Sequence, residues 1–321
     1  MPPRSHIIST GSYLPKKVAT NADLEKIVDT SDEWIFQRSG IKERRIAAEG
    51  EATSDLAIHA ARQALERSGL KPEDIDGVIV ATTTPDQTFP AVAVKVQAAL
   101  DIPAGIAFDV QAVCTGFIYA LSVADNFIKN SQLKNVLVIG AEKMSSILNW
   151  EDRTTCVLFG DGAGAIILQG QNSDENSGVF STHLYANGKL ADLLYTDGGV
   201  SSTGKSGHIV MQGREVFKNA VNLMAAAVEE ALLENNITAS DIDWLVPHQA
   251  NSRIIESTAK KLGLSMDKVI MTVDRHGNTS AASIPLAFDE AVTKGDIKKG
   301  QLVLFEALGG GLTWGSALVR Y

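Results

Sequence analysis

The chain has 321 residues, is 45% hydrophobic and carries a formal charge of −9. That length suits two domains or one large duplicated one with an ample core, and the acidic balance argues against nucleic acid as a partner. Its two cysteines, Cys114 and Cys156, show no CxxC or metal-ligand spacing and fit a reducing compartment. No stretch approaches the roughly 20 apolar residues of a membrane span, and the opening MPPRSHIISTG has no run of signal-peptide length. The sequence therefore predicts a soluble, cytoplasmic protein with no membrane partner.

In chain order, Ser5 to Gly11 reads as an opening strand. Thr30 to Glu33 has capping-box spacing and predicts a short helix through Arg38. Thr53 to Gly69 is amphipathic and stops at glycine. Asp74 to Thr82 is a buried strand, Ala91 to Leu100 a helix, and Ile106 to Val110 a further strand. A tight turn follows, with Cys114 where turn becomes helix. The apolar residues from Phe117 to Ile128 cover almost the whole circumference of that helix, so it should be buried. Asn135 to Gly140 is a strand, and Thr154 to Gln169 reads as two strands around GDGAG.

The second half repeats this order. Asp241 matches Asp74 (241 − 74 = 167), Ile237 matches Leu70 (237 − 70 = 167), Gln301 matches Asn135 (301 − 135 = 166), and Asp274 matches Asp109 (274 − 109 = 165). A near-constant offset predicts a duplicated α/β fold, with an N-terminal half at 1–172, a C-terminal half at 173–321 and a polar linker at 170–178. Thr196 to Gly207 reads as a long loop. In such a duplication, equivalent turns meet near a pseudo-twofold axis. Cys114 would then share a pocket with His248, at a strand end, and Asn278, in the turn HGNTS. A helix N-terminus favours thiolate over thiol, although a free cysteine is as readily a small buried hydrophobe. Nucleophilic acyl transfer needs such a thiolate with donors aimed at a developing oxyanion.

Other features are weaker. Gly160 to Ala165 fits the dinucleotide fingerprint, but a short apolar strand follows where a helix is required. Cys156, in TTCVLF, reads as an inert thiol in a strand. Trp34 and Arg38 share a helix face, as a surface pair or as a platform for a base. Arg253, Lys260 and Lys261 follow His248 on one helix, most simply as a solvated face.

Together, TNADLEK (20–26), TSDEWI (30–35), the Cys114 turn, FGDGAGA (159–165), VPHQAN (246–251), DRHGNTSAAS (274–283) and EALGGGLTWGSA (306–317) give the chain a family likeness. It resembles the β-ketoacyl-acyl-carrier-protein synthase III family of the thiolase-like superfamily over essentially its whole length. Thr115 stands where the family pattern has alanine after the nucleophile, and Leu308 where it has phenylalanine. The resemblance implies a duplicated five-layer αβαβα fold, a homodimer, and the first condensation of fatty acid synthesis. In it, acetyl from acetyl-CoA joins malonyl-acyl carrier protein through an acyl-cysteine, with both as substrates and no cofactor or metal. It further implies that Cys114 is the nucleophile, that His248 and Asn278 bind the malonyl thioester oxygen, and that the N–H groups of Cys114 and Gly310 form an oxyanion hole. Coenzyme A would meet Thr30, Trp34, Arg38, Arg153, Gly213, Phe217, Ala250 and Asn251. The carrier protein would dock on Gln249, Ala250, Asn251, Ser252 and Arg253. Phe89, at the tip of the loop 82–91, would reach into the partner's acyl pocket. Within the superfamily, a secondary-metabolite synthase or a thioester acyltransferase is the alternative. A non-catalytic docking subunit is disfavoured by Cys114, His248 and Asn278 together, and a cysteine protease by the full-length resemblance.

Overall fold

The computed structural model describes residues 3–172 and 176–321. Two mixed sheets organise it. The first runs Arg4–Tyr13, Asp161–Gln171, Asn135–Lys143, Gly77–Ala81, Ile106–Val110, and the second Trp244–Pro247, Leu302–Gly309, Thr313–Arg320, Gly178–Ala186. Within the first sheet, Gly77–Ala81 pairs in parallel with both neighbours, and the two outer pairings involving Asp161–Gln171 are antiparallel. Parallel strands covered on both faces read as unbroken apolar runs, which is why GVIVA is buried at every position.

Five layers result. The helices Thr53–Ser68 and Val92–Ala99 cover the outer face of the first sheet. The helices Gly116–Lys129 and Ser283–Lys294 fill the space between the sheets. Gly213–Glu234 and Ser252–Lys261 cover the outer face of the second sheet. The expected burial of the helix after Cys114 follows, since it packs on both sheets and its neighbour. Among the described residues no helix is long and apolar enough to cross a membrane.

The duplication is closer in register than the sequence landmarks suggest. The strands starting at Gly77 and Trp244 (244 − 77), those at Asn135 and Leu302 (302 − 135), and the central helices at Gly116 and Ser283 (283 − 116) are all offset by 167. Val113, with φ of 49°, and Ser280, with φ of 50°, keep the same offset. The match of Asp274 to Asp109 at 165 is therefore corrected. Beside Trp244–Pro247, in the position that Ile106–Val110 holds in the first sheet, the chain makes only an isolated parallel bridge between Leu245 and Val269 before the short helix Val273–His276, so the second sheet has four strands where the first has five.

Three further expectations change. Residues 151–158 form turns, so Cys156 does not lie in a strand, and GDGAG lies along the single strand Asp161–Gln171. The glycines serve packing: a Cβ on Gly164 would come 2.6 Å from the Leu286 nitrogen of the central helix. The stretch from Thr196 to Gly207 lies within a hairpin of Leu194–Thr196 and Ile209–Met211 and contains the short helix Val200–Thr203. The expected linker overlaps the strand ends at Gln171 and Gly178, and residues 173–175 lie outside the described residues.

Two turns meet at the centre, Val113–Thr115 before one central helix and Ser280–Ala282 before the other. Their approach requires bare backbone in the adjoining strands. A Cβ on Gly140 would lie 2.2 Å from the Ala281 oxygen, and one on Gly309 2.7 Å from the Cys114 nitrogen. Gly140→Ala must therefore displace the turn 280–282. We expect it to lower stability by at least about 1–3 kcal/mol, the usual cost of overpacking, read as a lower urea midpoint. A variant as stable as the parent would contradict this packing.

Candidate active site

Cys114 is buried in its turn, directly ahead of the helix Gly116–Lys129. The preceding Val113 is left-handed, unusual for a β-branched residue and worth roughly 1–3 kcal/mol of strain. That conformation sets the thiol at the mouth of the helix. The expected low thiol pKa does not follow, because burial disfavours the charged form and pushes the thiol up to about 12. The Ser280 hydroxyl opposes the rise, and the buried Glu142 carboxylate adds to it. At rest Cys114 is therefore a thiol.

His248 follows the strand Trp244–Pro247, with its backbone N–H donating to the Glu306 carbonyl at 2.8 Å. Its ring is buried, and burial lowers its pKa to about 3, so it is neutral. Nδ1 lies 2.6 Å from the Ser283 hydroxyl, which also accepts the Gln249 N–H at 3.3 Å. With its oxygen so engaged, the hydroxyl proton can go to Nδ1, and the tautomer that accepts it carries its own proton on Nε2. Asn278 is fixed by its backbone, whose N–H donates to the Leu158 carbonyl at 2.8 Å and whose carbonyl accepts from Gly160 at 3.0 Å. Its side-chain oxygen accepts the Ser280 N–H at 2.9 Å, which leaves the amide NH₂ as its remaining donor. The buried Arg44 braces this region: it donates to the carbonyls of Ala19 and Val157 and to the Asn21 side chain, at 3.1, 2.6 and 2.8 Å.

Cys114, His248 and Asn278 line one cavity of about 610 Å³. Trp34, Arg38, Gly213, Phe217, Ala250, Asn251 and Arg253 line the same cavity. A second, smaller cavity of about 150 Å³ reaches Cys114 past Val113, Phe159 and Leu194, bounded by Thr83, Gln111 and Ile209. Beside the nucleophile runs the triple glycine, with Gly309 against the Cys114 nitrogen and Gly310 against Val113 and Leu194.

At the wide cavity's rim, Trp34 sits on the helix Asp32–Ser39, whose cap is Ser31 rather than Thr30, with its side chain accepting from the Trp34 N–H. The guanidinium carbons of Arg38 and Arg153 lie 4.8 and 5.2 Å from the Trp34 ring centre. Arg153 also donates to the Asp29 carbonyl at 2.9 Å. The indole is thus already stacked by arginine, and an incoming base would have to displace one of the two. Thr30 and Arg153 do not line the cavity.

Of the docking residues, Asn251 caps the helix Ser252–Lys261 and donates to the Arg38 carbonyl at 2.8 Å, and Ser252 packs beneath Gly40. Arg253 is exposed and lies 5.6 Å from the Phe217 ring centre. Gln249 is a correction. It is buried and its amide is fully used, donating to the carbonyls of Pro247 and Ile270 and accepting from the N–H groups of Thr272 and Val273. It holds the His248 loop and offers a partner nothing. Phe89 is 80% exposed and lines neither cavity of this chain.

Sequence reasoning missed Ser280, Ser283 and Glu142. The hydroxyl-rich run after Asn278 was a signal for the two serines. For Glu142, the signal was a carboxylate closing the apolar strand NVLVIGA.

Models of the 3-oxoacyl-[acyl-carrier-protein] synthase III family match residues 108–188, and of its C-terminal region residues 232–321. The β-ketoacyl-[acyl-carrier-protein] synthase III of Paramagnetospirillum magneticum is 64% identical, over 99% of each chain. The crystal structure of 3-oxoacyl-[acyl-carrier-protein] synthase III from Aquifex aeolicus superposes with a TM-score of 0.94 at 51% identity, covering 99% of this chain and 100% of that one. A priming β-ketosynthase from a polyketide biosynthetic pathway has a TM-score of 0.93 at 33% identity, covering 99% and 97%. The chain belongs to the 3-oxoacyl-[acyl-carrier-protein] synthase III family.

Proposed function

We propose that this chain performs the initiating condensation of fatty acid synthesis. Acetyl passes from acetyl-CoA to Cys114, and malonyl-acyl carrier protein then loses CO₂ as its enolate carbon attacks the acetyl-cysteine, giving acetoacetyl-acyl carrier protein. The observation that carries this reading is the convergence of Cys114, His248 and Asn278 from two halves of the chain in one cavity. The higher identities to fatty acid synthases favour it over the polyketide-priming alternative.

The roles follow from the chemistry of each group. The enolate oxygen needs donors that are neutral, so that the carboxylate is not held by a cation and CO₂ can leave. A neutral His248 with a proton on Nε2, buried in the same cavity as the NH₂ of Asn278, fits that need. The backbone N–H groups of Cys114 and Gly310 would take the oxyanion of each tetrahedral intermediate. Acetyl-CoA and malonyl-acyl carrier protein enter as substrates, and this chemistry calls for no further cofactor. The pantetheine arm would lie along Phe217, Gly213, Ala250 and Asn251, with the nucleotide end at Trp34 and Arg38, and at Arg153 and Thr30 once the arginine stack opens. Arg38, Arg214 and Arg253 form a basic mouth on an acidic chain, suited to an acidic carrier protein. The two free cysteines fit a cytoplasmic setting.

A homodimer accounts for Phe89. An aromatic ring 80% exposed at a loop tip gains by being covered, and the 150 Å³ cavity beside Cys114 needs a wall that limits it to a short acyl group. The partner's copy of this loop would supply both.

His248→Ala and Asn278→Ala should separate the half-reactions. Acetylation of Cys114 persists, while decarboxylation of malonyl-acyl carrier protein falls about 10²–10³-fold, as for loss of one oxyanion donor. Equal loss in both steps would make His248 the base for the thiol instead. Phe89→Thr should raise kcat/KM for isobutyryl-CoA relative to acetyl-CoA, by up to the ~1–3 kcal/mol that overfilling costs. An unmoved ratio would place the chain-length gate elsewhere.

A further inference from the structure

A ring that limits a cavity must be held in place, and the loop that carries Phe89 has little packing to hold it. Residues 87–90 are all exposed. An exposed segment keeps one conformation only where bonds at its ends oppose its conformational entropy.

Such bonds are present, and carboxylates make them. The helices on either side of the loop, Thr53–Ser68 and Val92–Ala99, start after Ala52 and Ala91, and neither alanine supplies a side-chain cap. Their free N–H groups are met from elsewhere in the chain. Asp86, inside the loop, accepts from the Ser54 N–H at 2.9 Å and from the Ser54 hydroxyl at 2.6 Å. Asp109, on the edge strand Ile106–Val110, accepts from the Val92 and Ala93 N–H groups at 2.7 and 2.9 Å. An anion at a helix N-terminus is favoured by the helix dipole as well. Lys95, in the first turn of the second helix, donates to Asp86 Oδ2 at 2.9 Å, and the Asp86 side chain is only 10% exposed. One carboxylate thus ties the loop to the start of one helix and to the first turn of the other.

The entry to the loop is fixed separately. The Thr84 N–H and hydroxyl donate to Glu142 at 3.1 and 2.6 Å, and the Thr84 carbonyl accepts from the Thr53 hydroxyl at 2.5 Å. Residues 87–91 then bridge the gap from Asp86 to Val92, with Phe89 at their centre. Within the bridge, the Gln87 amide donates to the Phe89 carbonyl at 2.8 Å. The ring is therefore carried on a short span between two capped helix starts.

We propose that Asp86 sets primer selectivity: by capping Thr53–Ser68 and pairing with Lys95, it holds Phe89 at a fixed reach. This rests on the proposed reading of Phe89 as the wall of the partner's cavity beside Cys114. A primer longer than acetyl has to push the ring back, and the loop yields by giving up the Asp86 cap. Breaking that cap is then part of the discrimination between primers, an example of preorganisation. Asp86 lines neither cavity, so it is a positioning residue and not a catalytic one.

The test is the ratio of kcat/KM for isobutyryl-CoA to that for acetyl-CoA, measured on the full chain. A purely structural role would lower both constants together and leave the ratio alone. Asp86→Ala should raise it by about 2–30-fold, the range set by loss of an N-cap. Asp86→Asn keeps an acceptor for Ser54 and should retain most of the parent ratio. Combined with Phe89→Thr, Asp86→Ala should add nothing, because no ring is left to position. Should Asp86→Ala fail to fold, Lys95→Met decides. It leaves the cap in place, removes the pair with Asp86, and should raise the ratio to a smaller extent. A parent-like ratio in the deciding variant, while Phe89→Thr still moves it, overturns the inference and spares the gate. So does a rise of equal size with and without the Phe89 ring, since Asp86 would then act by another route. A ratio unmoved in Phe89→Thr itself sinks the gate, and the inference with it.

Discussion

The close approach of two turns at the centre of the molecule sets everything else. Val113–Thr115 and Ser280–Ala282 each precede a central helix, each opens on a left-handed residue that is not glycine, and each sits where a neighbouring strand has no side chain. The strain is borne because two sheets and two buried helices over-determine the backbone there. The halves differ in what they place on this shared geometry. At the offset of 167, the counterpart of Cys114 is Ala281, that of His248 is Ala81, and that of Glu142 is Gly309. Each of these groups thus has a small residue as its counterpart in the other half.

Charge is distributed in a matching way. The interior groups are held neutral or nearly so by burial: the Cys114 thiol is pushed up, the His248 imidazole down, and the Glu142 carboxyl up to about 7. Arginines 38, 214 and 253 stand only at the mouth. A cavity whose buried lining carries no cation suits decarboxylation, since a cation there would hold the carboxylate that must leave. A basic rim on an acidic protein lets attraction act on approach and fade at the reacting centre.

Much of this was legible in the sequence. Apolar periodicity revealed the buried helix after Cys114, and repeat spacing revealed the duplication, because both are set by local packing patterns. The register was misread at Asp274, because the fifth strand of one half is reduced in the other to a single bridge at Val269 with a short helix after it. The glycines of GDGAG looked like a turn because glycine marks close approach of any backbone, and here that backbone is the helix at Pro285 and Leu286. The lowered thiol pKa failed because burial outweighs the helix end. Gln249 was unreadable for one reason: a polar residue looks the same in sequence whether solvated or fully bonded inside, and only tertiary structure tells them apart.

The central claim is that Cys114 carries the acyl group and that the other half of the chain consumes it. Intact-mass measurement of the protein mixed with acetyl-CoA, then with malonyl-acyl carrier protein, tests it most directly. The account predicts one acetyl group mapped to the Cys114 peptide, its disappearance on the second addition, and no adduct in Cys114→Ala. An adduct on Cys156, or an acetyl-Cys114 that malonyl-acyl carrier protein cannot discharge, would contradict it.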